Sequence, residues 1–312
     1  MRGSRLAFAL VFCLFAVFGL GTAAAVSPGD ILVVDENVGV VRHYSASGSD
    51  LGLFASGLNA PAWITTDRSG NVYVTEYQGK KIDKFSPTGQ VLLTITTLYL
   101  PGGVAIGSDG SIYVAHYDAG AIHRYSSTGA DLGIFATYAG CENGCGTDFI
   151  KFGAAGNLYV GDFEGVGRVR LISPVGVDLG NFTIAVGAEA LVFDATGNLY
   201  VSSSHTGIIR VFSPSAADLG AFAPAGSGFY GLAFDTEGNL YSSVTSLGVI
   251  KKFSPAGGDL GGFGIGGRDL AIIPPGGPGT KDECTNGGWQ SFEFPRTFKS
   301  QGDCIQFVNT RK

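Results

Sequence analysis

One phrase is written six times along this chain, and no other feature restricts its fold as much. Glycine-led copies begin at Gly29, Gly70, Gly110, Gly156, Gly197 and Gly238, spaced 41, 40, 46, 41 and 41 residues apart. A period near 40 is the length of four short strands with their turns, the unit of a β-propeller blade. Each copy opens on a turn such as "DRSGN", "DATGN" or "DTEGN" and runs into an alternating strand, "VYVTE", "LYVGD" or "LYVSS". Gly, Asp and Asn serve the turn because they tolerate positive φ or bond their own backbone. A second strand, "KIDKFS" or "VIKKFS", ends in turns such as "SPTG" or "SPAG", where Pro presets φ. A third, "DLGLFA" or "DLGAFA", and a fourth, "AWITTD" or "GLAFDT", lead into the next copy.

The two ends settle the topology. The copy at Gly29 has no strand before it, whereas "RDLAIIPPG", Arg268 to Gly276, stands unused at the other end. If that strand completes the first blade, six blades close into a ring with no exposed sheet edge. A linear solenoid would leave both ends half-built and would need polar caps, which are absent. The expected fold is all-β: a six-bladed propeller of four-stranded blades, closed by the C-terminal strand, over residues 26–276.

Two segments lie outside the repeat. Arg2 and Arg5 precede the apolar run Leu6 to Leu20, and Ala23-Ala24-Ala25 follows, the three-part pattern of a cleaved signal peptide over residues 1–25. Cys13 has no lipobox around it, so no lipid anchor is expected, and no second span follows. The mature chain is therefore expected to be secreted, outside the cell or on the exterior of its envelope, and monomeric. Residues 277–312 form a linker and a short tail, too short for a core of its own, with Trp289, Phe292 and Phe307 available for docking.

Export bears on the cysteines. Once the leader is gone, Cys141, Cys145, Cys284 and Cys304 remain, an even number that reads as two disulfides in an oxidising compartment. Three connectivities are open on paper, and the sequence-local pairs Cys141–Cys145 and Cys284–Cys304 are preferred. "CENGC" has the spacing of half a zinc site, but no second Cys or His pair stands at ligand spacing. Loss of Arg2 and Arg5 takes the formal net charge from −6 to −8. Such a chain, without a basic cluster, does not suit nucleic acid or anionic membrane surfaces.

The text "GNVYVTEYQGKKIDKFSPTG", Gly70 to Gly89, resembles the NHL repeat, and all six copies follow it over nearly the whole mature chain. The family's usual blade places an Asp after the first strand. Here that position holds Asp35, Glu76, His116, Asp162, Ser203 and Val244, and the family's Arg survives as Lys81 and Arg168. The resemblance implies a binding scaffold for protein, RNA or small ligands. The related SMP-30 and gluconolactonase propellers hydrolyse lactones with a divalent metal in the central channel, and the resemblance extends distantly to them.

Propellers hold ligands at one end of the channel, on the face built from the loops between strands two and three and the loops between blades. The first loop set carries Asp35, Glu76, His116 and Asp162, followed by aromatics Tyr77 and Tyr117. The second carries Trp63, Asp148, Glu189, Tyr230, Arg268 and Asp269. Crowded carboxylates raise one another's pKa or recruit a cation. Asp35, Glu76, Asp162 and Glu189 are accordingly the candidate ligands for Ca²⁺ or Mg²⁺, with His116 admitting Mn²⁺ or Zn²⁺. Trp63, Tyr77, His116, Tyr117, Asp148, Tyr230 and Arg268 are the candidate ligand-binding set; exposed aromatics beside carboxylates suit carbohydrate. The copy that contains "YAGCENGCGTD" is five residues longer than its neighbours and offers a loop on the same rim.

No G-x-S-x-G, H-E-x-x-H, P-loop or EF-hand loop occurs. Asp67, Asp194 and Asp235 read as turn-formers, and His43 and His123 as structural. The expected role is a binding or interaction module for a protein, glycan or small ligand, with a metal-dependent lactonase or esterase as the alternative. A channel mouth plugged by Trp63 and Phe149 would count against the enzyme.

Overall fold

A computed structural model describes residues 24–138, 146–162, 167–184, 187–203, 206–223, 228–275, 284 and 299–310. The first blade takes β1 (Ile31–Asp35), β2 (Val40–Tyr44) and β3 (Asp50–Ser56). The second comprises β4 (Pro61–Thr66), β5 (Val72–Glu76), β6 (Lys81–Phe85) and β7 (Val91–Thr96), and the third β8 (Pro101–Ile106), β9 (Ile112–His116), β10 (Ala121–Tyr125) and β11 (Asp131–Thr137). The fourth holds β12 (Thr147–Phe152), β13 (Leu158–Asp162), β14 (Arg168–Ile172) and β15 (Asp178–Ile184), and the fifth β16 (Ala188–Phe193), β17 (Leu199–Ser203), β18 (Ile208–Phe212) and β19 (Asp218–Ala221). The sixth holds β20 (Phe229–Phe234), β21 (Leu240–Val244), β22 (Val249–Phe253) and β23 (Asp259–Phe263), before β24 (Asp269–Ile272) returns to the start.

That return closes the ring as expected. β24 pairs antiparallel with β1, giving the first sheet the order β24-β1-β2-β3, like the four-strand order of every other blade. The six innermost strands lie side by side in a circle, with β20 against β24 and β24 against β4. Backbone bonds fasten the seam: the Ile273 amide donates to Asp30 at 2.8 Å and Gly29 to Ile273 at 2.9 Å.

The repeated Tyr explains how the blades adhere. Tyr113 of β9 lies between Phe135 of its own outer strand (ring centroids 4.9 Å) and Phe152 of the next blade's inner strand (5.0 Å). Tyr159 does the same with Phe182 and Phe193, and Tyr200 with Phe222 and Phe234. Each edge-to-face pair contributes about 0.5–1.5 kcal/mol beyond the area it buries. The Tyr of "LYV", the Phe of "DLGxF" and the Phe ending the fourth strand are thus one recurring inter-blade unit.

The "DLG" motif starts the outer strand with a bulge. In β3 the Asp50 carboxylate accepts the Gly52 amide at 2.8 Å, and Gly52 sits at φ +96°, where a side chain would be strained. The same contact recurs at Asp131–Gly133, Asp178–Gly180, Asp218–Gly220 and Asp259–Gly261. Asp67, Asp194 and Asp235 form their turns by accepting the amides of Asn71, Asn198 and Asn239. His43 bonds Asp30 through Nε2 at 2.8 Å, the structural role expected of it.

Cys284 and Cys304 form a disulfide, with Cα atoms 5.7 Å apart. The Cys141–Cys145 pairing and the inserted loop around it lie outside the described residues. A helix, α1 (Gln301–Thr310), carries Cys304, and the repeat gave no sign of it. Its start is marked in the sequence: Ser300 Oγ accepts the Asp303 amide, and the Asp303 carboxylate accepts the Lys299 amide, a capping pair. Among the described residues no helix is long and apolar enough to cross a membrane.

Candidate functional site

The loops joining second to third strands and those joining successive blades share one face, and the candidate residues gather there around Arg268. Its guanidinium lies over the Trp63 ring, with Cζ 4.8 Å from the centroid. Nη2 is 3.5 Å from Asp148 Oδ1 and Nη1 is 3.5 Å from Glu36 Oε2. Burial opposes the charge, but Asp148, Glu36, Glu189 and Tyr230 outweigh it and hold Arg268 above its ordinary pKa. Trp63 is 2% exposed and packs against Phe149 at 6.3 Å and Tyr77 at 6.4 Å. Tyr77 meets Tyr117 edge-on at 5.5 Å.

Together Trp63 and Phe149 close the channel mouth, and the space beneath them is only about 20 Å³. The inner strands permit this closeness through glycines. A Cβ on Gly103 would stand 2.6 Å from the Asp148 carbonyl oxygen, and one on Gly102 would stand 2.2 Å from that of Thr147. On the far side, a Cβ on Gly231 would meet Asp269 Oδ1 at 2.5 Å.

What remains open is a cup of about 370 Å³ above the plug, lined by Glu36, Asn37, Trp63, Tyr77, Gln78, Tyr117 and Arg268. A second recess of about 230 Å³ shares Glu36, Asn37 and Arg268 and adds Asp35 and Tyr230. Half-buried Tyr77 and Tyr117 supply ring surface, while Glu36, Asn37 and Gln78 are exposed polar groups. Those three were missed in the sequence, although each lies one or two residues past the aligned strand end. The larger groove on the opposite face, about 830 Å³, is a crease between blades. Its cations are engaged by the turn-forming carboxylates, Arg124 with Asp109 at 2.7 Å and Lys84 with Asp67 at 3.8 Å.

The four carboxylates proposed as metal ligands are not brought together. Asp35 Oδ2 pairs with Arg42 Nη2 at 3.2 Å, and Asp162 Oδ2 with Arg168 Nη2 at 2.9 Å. Glu76 accepts the Asn59 amide at 2.6 Å through Oε2 and faces Lys81 Nζ at 2.9 Å through Oε1. Burial, then Asp83, push the Glu76 carboxyl up against the pull of Asn59 and Lys81. Glu189 is buried on β16, within electrostatic reach of Arg268. Among the described residues no three His, Cys, Asp or Glu side chains surround a point that could hold a metal ion. A resident channel cation therefore does not fit this donor set, because three of the four carboxylates neutralise cations of their own blades. His116 also stands apart from the cup, fully buried at the end of β9 beside Tyr99 and His123.

No protein-family model matches the chain, and no curated protein matches it in sequence. Solved structures do. The nidogen/laminin complex contains a chain that superposes with a TM-score of 0.68 at 15% identity, over 78% of this chain and 99% of that one. A putative gluconolactonase gives 0.62 at 16% identity over 71% and 84%. Regucalcin from Agrobacterium tumefaciens, a calcium-binding protein, gives 0.58 at 15% identity over 78% and 81%. The likeness is one of fold. Proteins that assemble with other proteins and proteins that bind metal share this ring, so the site has to decide the function.

Proposed function

We propose that this chain is an exported binding module with NHL-like blades, and that its ligand is a small neutral saccharide held in the cup over Trp63. The supporting observation is the position of the cup: an open aromatic and polar hollow directly above a channel closed by Trp63 and Phe149. The Tyr77 and Tyr117 rings offer faces to the C–H surface of a sugar. Glu36, Asn37 and Gln78 offer planar donors and acceptors for hydroxyls. Arg268 is already matched by Asp148 and Glu36, so an anionic ligand finds no spare positive charge there.

A lactonase is the competing possibility, and its support is the ring it shares with gluconolactonase and regucalcin. Hydrolysis of that kind needs a divalent ion to polarise the carbonyl or activate water. Asp35, Glu76 and Asp162 face Arg42, Lys81 and Arg168 instead, which favours the binding module.

The test is isothermal titration of the purified mature chain against a panel of neutral oligosaccharides, with Tyr77→Ala and Tyr117→Ala alongside. The expected outcome is binding that weakens at least about tenfold, some 1.4 kcal/mol, in either variant while the melting temperature holds. No binding at millimolar sugar, or equal binding by both variants, removes the saccharide from the cup. Calcium-dependent lactone hydrolysis would restore the enzyme.

A further inference from the structure

The third blade differs from the first at one registered pair of positions. In the first blade the last residue of the second strand, Asp35 of β1, pairs with Arg42, the third residue of β2. The equivalent positions in the third blade are His116, ending β9, and His123, third in β10. The registers match: Asp35 opposes Val40 while Val33 opposes Arg42, and His116 opposes Ala121 while Val114 opposes His123. A carboxylate–guanidinium pair has thus been replaced, in register, by two imidazoles.

Those imidazoles are close and poorly served. Their ring centroids are 4.7 Å apart with planes at 87°. His116 is fully buried, and among the described residues neither of its ring nitrogens has a hydrogen-bond partner; His123 Nε2 is likewise buried and unpartnered among them. The nearby Leu100 carbonyl favours a proton on His116 but lies outside hydrogen-bond geometry, and it already accepts the Tyr117 amide at 3.0 Å. Buried polar atoms without partners are uncommon, and three in one contact call for an occupant. An imidazole nitrogen that carries no proton and has no partner is a ligand for a metal ion.

The surroundings fit the same purpose. Asp131 Oδ1 is 3.9 Å from His123 Nδ1. A carboxylate behind one ring nitrogen favours the proton there and leaves the other nitrogen's lone pair available. The Tyr99 ring covers both imidazoles, at 5.5 Å from His116 and 6.1 Å from His123, and is itself partly exposed, giving solvent a way in.

We propose that His116 and His123 bind a borderline divalent transition ion, Zn²⁺ or Cu²⁺, through one nitrogen each. Solvent completes the coordination. Two imidazoles discriminate against Ca²⁺ and Mg²⁺, which prefer oxygen. This site is separate from the cup and does not depend on the ligand assigned to it.

The test uses the untagged mature chain, melted with increasing ZnCl₂ or CuCl₂ and, in parallel, CaCl₂ or MgCl₂. The expected result is a melting temperature that rises with Zn²⁺ or Cu²⁺ concentration and ignores the hard ions. His116→Phe and His123→Phe keep ring packing and should each abolish the rise. Should either variant fail to fold, the Cu²⁺ complex of the native chain should still show two imidazole nitrogens by electron paramagnetic resonance. No shift in the native chain, a shift that survives both substitutions, or a copper spectrum without nitrogen coupling overturns the proposal.

Discussion

The Asp269 carboxylate accepts the Ile64 amide at 3.0 Å, a bond between residues separated by 205 positions in the chain. Asp269 opens β24, the strand that completes the first blade, and Ile64 lies in β4, the inner strand of the second. The same side chain accepts the Leu270 amide at 2.8 Å, so one buried group holds the closing strand to its neighbour. Asp269→Ala leaves two buried amides unsatisfied, and the expected loss is about 3 kcal/mol. At this size that is a fall of roughly 5 °C in melting temperature, read by calorimetry at pH 5. A fall of less than about 2 °C would mean the seam is held by its backbone bonds alone.

The ring and its closure were legible because they rest on periodicity and on a strand without a partner. The inner surface was not. Trp63 and Phe149 stand at comparable places in the fourth strands of two blades, but nothing in either phrase says that these side chains meet across the axis. That meeting depends on Gly102 and Gly103 of β8, which act as a thin wall between the two blades. The carboxylates show a different failure. Glu76 and Lys81 are direct cross-strand partners, as are Asp162 and Arg168. Counting back from the hairpin would have paired each acid with its base before any metal was considered. At His116 the same count gives Ala121, which is why His116 reads as a rim ligand and His123 as a structural residue, with nothing to join the two on the diagonal.

Asp269 also sets a pH dependence. Burial is the largest influence and pushes its carboxyl up to about 7, against the Ile64 and Leu270 amides, Lys151 and Arg268. A folded-state pKa above the unfolded one gives stability that is complete below the unfolded value near 3.8 and is lost as pH rises through 7. A rise of that size amounts to about 4 kcal/mol at full ionisation. Asp269→Asn cannot ionise, so it should gain on the native chain between pH 5 and pH 8, by at least about 1 kcal/mol in urea titrations. A difference that stays flat over that range would mean the carboxylate remains charged in the folded protein.

Gly103→Ala tests the thin wall. Its Cβ would lie 2.6 Å from the Asp148 carbonyl oxygen and 2.9 Å from both Ile150 N and Phe149 Cα, all backbone atoms of a neighbouring inner strand. Backbone in a closed ring has little room to retreat, so the cost should reach the upper end of overpacking, about 3 kcal/mol. Gly248→Ala is the control, because nothing among the described residues lies within 4 Å of its Cβ and its penalty comes from φ +64°. Equal destabilisation of the two variants in chemical denaturation would show that the inner strands part easily.

Arg268 lines the cup and pairs with the buried Asp148, and each should depend on the other. Asp148 is 1% exposed, so Arg268→Ala removes a cation from beside a buried carboxylate. Breaking such a pair from one side costs about 3–5 kcal/mol when both charges are buried. Arg268 is a quarter exposed and 3.5 Å away, which places the expected loss nearer 2 kcal/mol. Adding Asp148→Asn to Arg268→Ala should recover part of it, with a coupling of at least about 1 kcal/mol across the double-mutant cycle. Additive effects would mean that Trp63, whose ring lies under the guanidinium, holds Arg268 in place without the carboxylate. In that case Arg268→Ala would loosen the aromatic floor, and Trp63→Phe should reproduce its melting temperature.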